Sequence, residues 1–275
     1  MTSPREALTA IGLLPDAEID LAEAALQLAR IDAPEADLDA ARAHLSALAR
    51  QAVAIAADIA EGDSAARAGA LAGLLTGRHG YRGDEETYDD PANANLIQVI
   101  ERRRGLPVAL GILWLHCARA ANWAAHGVDF PGHFLVALEG SGGKAVLDVF
   151  AGGVRLDARE LRALLKRIEG PGAELRPGLL QPMNQRAVLL RLQANIKLRR
   201  LQAGELEGAL VCAEDMLRFA PDTASLWREA ALINRRLDRV AAALHCFEQF
   251  LELVPGGDAA SRARAAMEEL RTRLN

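Results

Sequence analysis

Hydrophobic positions recur at helical spacing through the first quarter of the chain. Between residues 4 and 76, "DAEIDLAEAALQLARIDAP", "EADLDAARAHLSALARQAVAIAADIAEG" and "SAARAGALAGLLTG" carry Leu, Ile or Ala every three or four positions and stop at Pro34, Gly62 and Gly77. The pattern predicts a scaffold of helices. It breaks at residues 77–91, "GRHGYRGDEETYDDP", where Gly, Asp and aromatic residues dominate. A stretch of that kind is a long ordered loop, and such loops often carry function. Tyr81, Tyr88, Asp89 and Asp90 are candidates to line a site there. The alternative is that the tyrosines pin the loop to the core.

Helical spacing returns in "PANANLIQVIERRRG", with Asp90 as cap, Pro91 at the first position and Gly105 past the end. The next segment, "PVALGILWLHCARAANW", starts at Pro107 and is apolar on all sides, which predicts a buried helix. Then the period changes. "HFLVAL" and "AVLDVF" flank the glycine-rich "EGSGGK", a hairpin signal. "DARELRALLKRIEG" follows as a helix, with Asp157 and Glu160 spaced as a capping box. Helices followed by a small antiparallel sheet make an α+β domain, placed at residues 1–175.

Past the Pro/Gly-rich "PGAELRPGLLQPMN" the chain matches itself at an offset of 34. Leu206 aligns with Val240, Ala209 with Ala243, Leu210 with Leu244, Cys212 with Cys246, Leu217 with Leu251 and Pro221 with Pro255. That period, with two helices per unit, is the tetratricopeptide signature. Gly204 falls at the inter-helix turn of the first unit, and Trp227, Ala231 and Phe247 fall at packing positions of the second. Lys197 and Arg200 stand where small or aromatic residues are usual, so the first unit departs from the pattern. "DAASRARAAMEELRTRL" is the expected capping helix. This all-α part is placed at residues 185–275. Its leftover concave face is expected to bind a protein or peptide partner, or else to pack the repeats on the first domain.

Charge and cysteine content narrow the setting. The 275-residue chain has a net charge of −5 with acids and bases well mixed. No sustained basic stripe or helix-turn-helix pattern suggests direct nucleic-acid contact. No run is apolar enough to span a bilayer, and the first residues do not read as a signal peptide. Three dispersed cysteines, Cys117, Cys212 and Cys246, argue against a disulfide framework and for a reducing, cytoplasmic compartment. His79, His116 and His126 lack metal-ligand spacing, and no cofactor or metal is expected.

The chemistry sits in the hairpin. If residues 139–142 form its loop, Leu138 faces Gly143 and His133 lies opposite Asp148 on one face of the pleat. Directly opposed Cβ atoms are roughly 4.5–5.5 Å apart, close enough for an imidazole–carboxylate hydrogen bond. Such an Asp orients the ring as in a catalytic triad. The matching nucleophile would be a Cys or Ser at the start of a helix packed on the sheet, where the helix dipole favours a thiolate. The helix beginning "LPVALGILWL" offers neither. Cys117 lies ten residues further on, about 15 Å along the axis, and reads as core.

These residues carry a resemblance. "DDPANANLIQVIERRRGLPVALGILWLHCARAANWAAHGVDFPGHFLVALE", followed by "AVLDVFAGG" and "LRALL", is similar to the SirB-type family of transglutaminase-like proteins, which join such a core to tetratricopeptide-type repeats. The likeness covers nearly the whole chain. It implies a Cys–His–Asp triad in which His133 and Asp148 keep two places and the cysteine position falls at about Pro107. The expectation is a non-catalytic protein-interaction or regulatory module of a bacterial cytoplasm. Its candidate binding residues are Tyr81, Tyr88, Arg102, Arg103, Gly105, His133 and Asp148. The alternative is a hydrolase or acyltransferase acting on amides or peptides, using His133 and Asp148 with a displaced nucleophile or an activated water. For Arg102, Arg103 and Arg104 the plainer role is to complement the C-terminal dipole of their helix. Oligomeric state is not legible in the sequence.

Overall fold

The computed structural model describes residues 2–272. They fall into two compact units, residues 15–192 on the one hand and residues 2–14 with 193–272 on the other. The chain opens with α1 (Pro4–Gly12), capped by Ser3 and Glu6 in a capping box. This helix belongs to the second unit, packing on a helix some 200 residues later.

In the first unit, α2 (Leu21–Asp32), α3 (Leu38–Ala56) and α4 (Ser64–Ala72) each start at an aspartate whose carboxylate accepts a backbone N–H of the first turn: Asp20, Asp37 and Asp63. A π-type turn, Gly73–Arg78, extends α4. The polar stretch after it forms a two-residue strand, β1 (Arg82–Gly83). The next helix begins later than its proline suggests. Pro91–Asn93 is an isolated 3-10 turn capped by Asp90, and α5 (Leu96–Arg102) starts behind Asn95, whose side chain accepts from Gln98 N. An Asn that can bond the backbone locally is a better cap than an interior residue. The helix also stops short of Gly105. Arg103 takes the left-handed turn at φ 59°, so Arg104 and Gly105 are free to form β2 (Arg104–Gly105), parallel to β1.

Buried helix α6 (Pro107–Ala120) has Pro107 at its first position, as its sequence predicts. Behind it lies a five-stranded antiparallel sheet. The strands are β3 (Ala125–Phe130), β4 (His133–Leu138), β5 (Ala145–Asp148), β6 (Val154–Leu156) and β7 (Pro182–Met183), in the order β6-β5-β4-β3-β7. The hairpin reading anticipates β4 and β5. It leaves out β3, which is as long as β4 and joins it through Pro131 and Gly132, and the short strands β6 and β7. Close packing on α6 needs small residues: a Cβ on Gly111 would lie 2.3 Å from the ring of Phe134. On the other face, α7 (Ala158–Glu169), with its Asp157/Glu160 capping box, buries Leu161, Leu164 and Leu165 against Val128, Phe130, Leu135, Ala137 and Val146.

The unit boundary falls within α8 (Gln185–Gln202). The repeat helices continue as α9 (Leu206–Phe219), α10 (Ala224–Arg236), α11 (Val240–Leu253) and α12 (Gly257–Thr272). The aligned pair Ala209 and Ala243 is wholly buried, as close helix approach requires. The departures in the first repeat also have a place. Lys197 is buried and pairs with Glu229, and Arg200 donates to the Gly208 carbonyl at 3.1 Å and to Cys212 Sγ at 3.0 Å. Two long cationic chains thus fill room that small or aromatic residues usually take. The expected capping helix ran to 274; residues 273 and 274 lie outside the described residues.

Against the expected boundaries, 1–175 and 185–275, the N-terminus lies elsewhere. Leu8 of α1 is fully buried, Arg5 reaches the buried Asp215 of α9 at 2.8 Å, and Gly12 runs against the Arg218 carbonyl. Repeat helices expose an apolar flank at their first hairpin, and α1 covers it. A nine-residue amphipathic helix carries no sequence mark of which partner it covers.

Candidate functional site

The sheet register brings His133 and Asp148 together by a different route from the one predicted. Leu138 pairs with Ala145, not Gly143, so the connection is six residues, 139–144, and Asp148 stands opposite Leu135. The slip is two residues, and two residues preserve the face of a pleated strand. His133 is therefore a diagonal neighbour of Asp148. Its imidazole spans the longer diagonal, and Nε2 lies 3.0 Å from Asp148 Oδ1.

That oxygen is heavily used. It also accepts from Phe150 N at 3.1 Å and Ala151 N at 3.2 Å, which closes the turn after β5. Burial works against the Asp148 charge, but the hydrogen bond and charge of His133 and the two backbone donors outweigh it. The carboxyl is held below its ordinary range. A carboxylate only accepts, so His133 carries its proton on Nε2. Nδ1 then keeps its lone pair when the ring is neutral, and it has no hydrogen-bond partner among the described residues.

Phe150 packs beside the pair. Its ring meets His133 edge-on at 6.3 Å and Tyr88 at 5.8 Å. Gly83 donates its N–H to the Phe150 carbonyl at 3.0 Å, and its missing side chain makes room: a Cβ there would lie 2.5 Å from the Phe150 ring. Gly83 pairs with Gly105 in the β1–β2 ladder. Gly105 is held from the other side, since a Cβ would lie 2.8 Å from Val99. Two residues after Gly105, Pro107 opens α6 with Val108, Ala109 and Leu110 behind it. The first turn of this helix therefore holds neither thiol nor hydroxyl. Cys117 is fully buried in the helix body, and burial pushes its thiol up to about 12.

The other candidates gather elsewhere. Tyr81 is buried, and its hydroxyl lies 2.9 Å from His44 Nε2 and hydrogen-bonds the Arg103 guanidinium, which stacks over the ring at 4.8 Å. Arg103 also reaches His44 Nε2 at 2.7 Å, and His79 packs edge-on against His44 and bonds Gln51 at 2.8 Å. Because Arg103 donates to it, His44 Nε2 is an acceptor. Burial and the Arg103 charge depress its pKa to about 4. Burial, opposed by Arg103, raises that of Tyr81 to about 12. Arg102 braces the loop, 3.0 Å from the buried Asp84 and 3.5 Å from Asp90.

Of the seven candidate binding residues, Tyr88, His133 and Asp148 thus meet at Phe150, and Gly105 is linked to it only through its ladder partner Gly83. Tyr81 and Arg103 form a separate, partly buried cluster with His44 and His79, and Arg102 is a loop brace. Sequence reasoning missed Phe150, Gly83, His44 and Gln51. Phe150 and Gly83 lie within the "LDVF" and "RGD" runs, next to residues already singled out. His44 and Gln51 had no signal, being polar positions on an ordinary amphipathic helix. Among the described residues no cluster of three or more His, Cys, Asp or Glu could hold a metal. No described helix is long and apolar enough to cross a membrane.

A buried helix feeding an antiparallel sheet with a His–Asp pair, followed by helical hairpins, defines a transglutaminase-like protein with tetratricopeptide repeats. The transglutaminase-like superfamily model matches residues 39–194, and a tetratricopeptide repeat model matches residues 196–271. A UPF0162 protein of Vibrio cholerae is 32% identical, covering 94% of this chain and 92% of its own. Another from Xylella fastidiosa is 32% identical over 70% of this chain and 69% of its own, and UPF0162 protein YchA of Escherichia coli K12 is 26% identical over 73% and 74%. This chain belongs to the UPF0162 family of transglutaminase-like proteins. Among solved structures, menin, whose structure is described as revealing the binding site for the MLL protein, aligns over 90% of this chain and 70% of its own, with 12% identity and a TM-score of 0.42.

Proposed function

We infer that this protein acts by binding and not by covalent catalysis. Its transglutaminase-like unit is a binding or regulatory platform, and its repeats engage a protein or peptide partner. The observation that carries the reading is Pro107 at the start of α6, the place the resemblance assigns to the nucleophile. Covalent acyl transfer needs a group that can attack. Proline has none, and the only thiol of the helix is buried and held protonated. The His133–Asp148 bond then serves to hold the turn after β5 and to place the imidazole against the ring of Phe150, which also meets Tyr88. The setting is the cytoplasm, a reading supported by three free, buried cysteines.

A second reading has its own observation. Nε2 of His133 is engaged by Asp148 and Nδ1 has no hydrogen-bond partner among the described residues, the arrangement of a base that could activate water in hydrolysis of an amide or ester. One experiment separates the two. Purified full-length protein and a His133→Ala variant are assayed on p-nitrophenyl esters, peptide amides, and a glutamine donor with a primary amine. Binding without catalysis gives equal, background rates for both proteins. Turnover present in the native protein and lost with His133→Ala overturns it in favour of the hydrolase.

A further inference from the structure

We propose that the groove between α10 and α12 binds a short acidic peptide segment with an aliphatic side chain between its carboxylates. This rests on the reading of the repeat unit as a partner-binding module and names the chemistry of the partner. The groove encloses about 290 Å³, at the lower limit of small-molecule sites, so it takes one or two side chains and not a folded surface. Arg228, Leu232 and Arg235 line one wall at helical spacing on α10, and Arg262 stands on α12 between small alanines, with Phe247 beneath. Leu232 is 39% exposed, an apolar floor open to solvent.

Charge selects the occupant. Among the described residues no Asp or Glu lines the groove. Arg228 and Arg262 have no acidic partner among the described residues. Arg235 has only Glu269, at 3.9 Å and itself 68% exposed. Three guanidinium groups with so little counter-charge, in a chain whose net charge is −5, are a local reversal of sign. Guanidinium forks match carboxylates in geometry as well as charge. The exposed leucine and alanine floor favours a peptide over a nucleic acid, which would call for aromatic stacking surfaces beside the basic groups.

The test uses the full chain and three fluorescein-labelled probes followed by anisotropy. They are a peptide of Glu and Asp flanking Leu, the same peptide with Gln and Asn in their place, and an oligo-dT strand. The acidic peptide is expected to bind at least about tenfold more tightly than the amide peptide, and to weaken by a similar factor with Arg228→Ala plus Arg262→Ala and with added salt. The reversed-charge pair, Arg228→Glu plus Arg262→Glu, is expected to prefer a Lys-flanked Leu peptide, which keeps the test meaningful if the alanine pair folds poorly. Equal affinity for acidic and amide peptides, or binding unmoved by both double variants, overturns the proposal. So does oligo-dT binding as tightly as the acidic peptide. Pull-downs with native and doubly substituted protein separate this failure from that of the broader reading. Specific partners retained by the substituted protein leave the module reading standing without this groove, whereas no partner above a repeat-deleted control removes both.

Discussion

Nε2 of His133 lies 3.0 Å from Oδ1 of Asp148, although the two residues are not opposed in the sheet. The same oxygen ties down two backbone amides of the next turn. Asp148→Ala would strand both N–H groups and the imidazole. It is expected to cost about 2–3 kcal/mol, against about 1 kcal/mol for Asp148→Asn, which keeps an acceptor oxygen. Urea denaturation of the two variants checks the order; equal costs would mean that the turn does not depend on this oxygen.

Acid should reveal the same carboxylate. Asp148 ionises below its ordinary range when folded, so its contribution is complete above the unfolded pKa, about 3.9. It is lost as pH falls through the lower, folded value. Asp148→Asn is therefore expected to flatten the loss of stability at the acid end, below about pH 4, with little change in slope above it. A stability–pH profile of native and variant protein reads this directly.

His44 should act in a different window. The unfolded chain takes up this proton near 6.5, while the folded ring resists until about 4. Between those values the unfolded state binds more protons, so stability declines as pH falls through the interval. His44→Gln, which keeps an acceptor for Arg103 and Tyr81, is expected to remove part of that decline; His79 and His126, also shifted downward, supply more. Thermal melts at pH 7 and pH 5 measure the difference, and an unchanged melting interval would refute the assignment.

Gly83→Ala tests the packing of Phe150 beside His133. Its new Cβ would fall 2.5 Å from the Phe150 ring. The ring must move away from His133 and Tyr88, at a cost of about 1–3 kcal/mol for overpacking. The chemical shifts of the His133 ring protons should move with it. An unperturbed His133 signal would show that Phe150 does not define its surroundings.

Arg5→Ala tests the placement of α1. Asp215 is 1% exposed and receives Arg5 at 2.8 Å and Arg218 at 3.2 Å. With Arg218 left in place, the loss should be smaller than for an abandoned buried charge, about 1–2 kcal/mol. Hydrogen exchange should rise in α9, and the amides of β4 and β5 should keep their protection. Exchange rising equally in the sheet would mean that α1 stabilises more than the repeats.

Local signals reached far into this molecule. The Asp caps of the first helices, Pro107 at the head of α6, the capping box of α7 and the 34-residue repeat are all contained in short windows, because capping and periodicity are local physics. Less local features needed the fold. Asp90 caps only a 3-10 turn while Asn95 caps α5, and the left-handed turn falls at Arg103, whose guanidinium lies over Tyr81, and not at Gly105.

By itself the sequence determined that this chain is an α+β domain joined to helical repeats, and that a proline heads the helix before the hairpin that carries a histidine and an aspartate. Hydrophobic period, turn chemistry and residue identity at one position suffice for that. Only the tertiary structure decided the strand register and with it the shared face of His133 and Asp148, the packing of Phe150 on His133, the joining of Tyr81 to His44 and Arg103, and the docking of α1 on the repeats. Each depends on groups far apart in the chain meeting in space. Their meeting is set by how the elements pack, and no short window of sequence contains that energy.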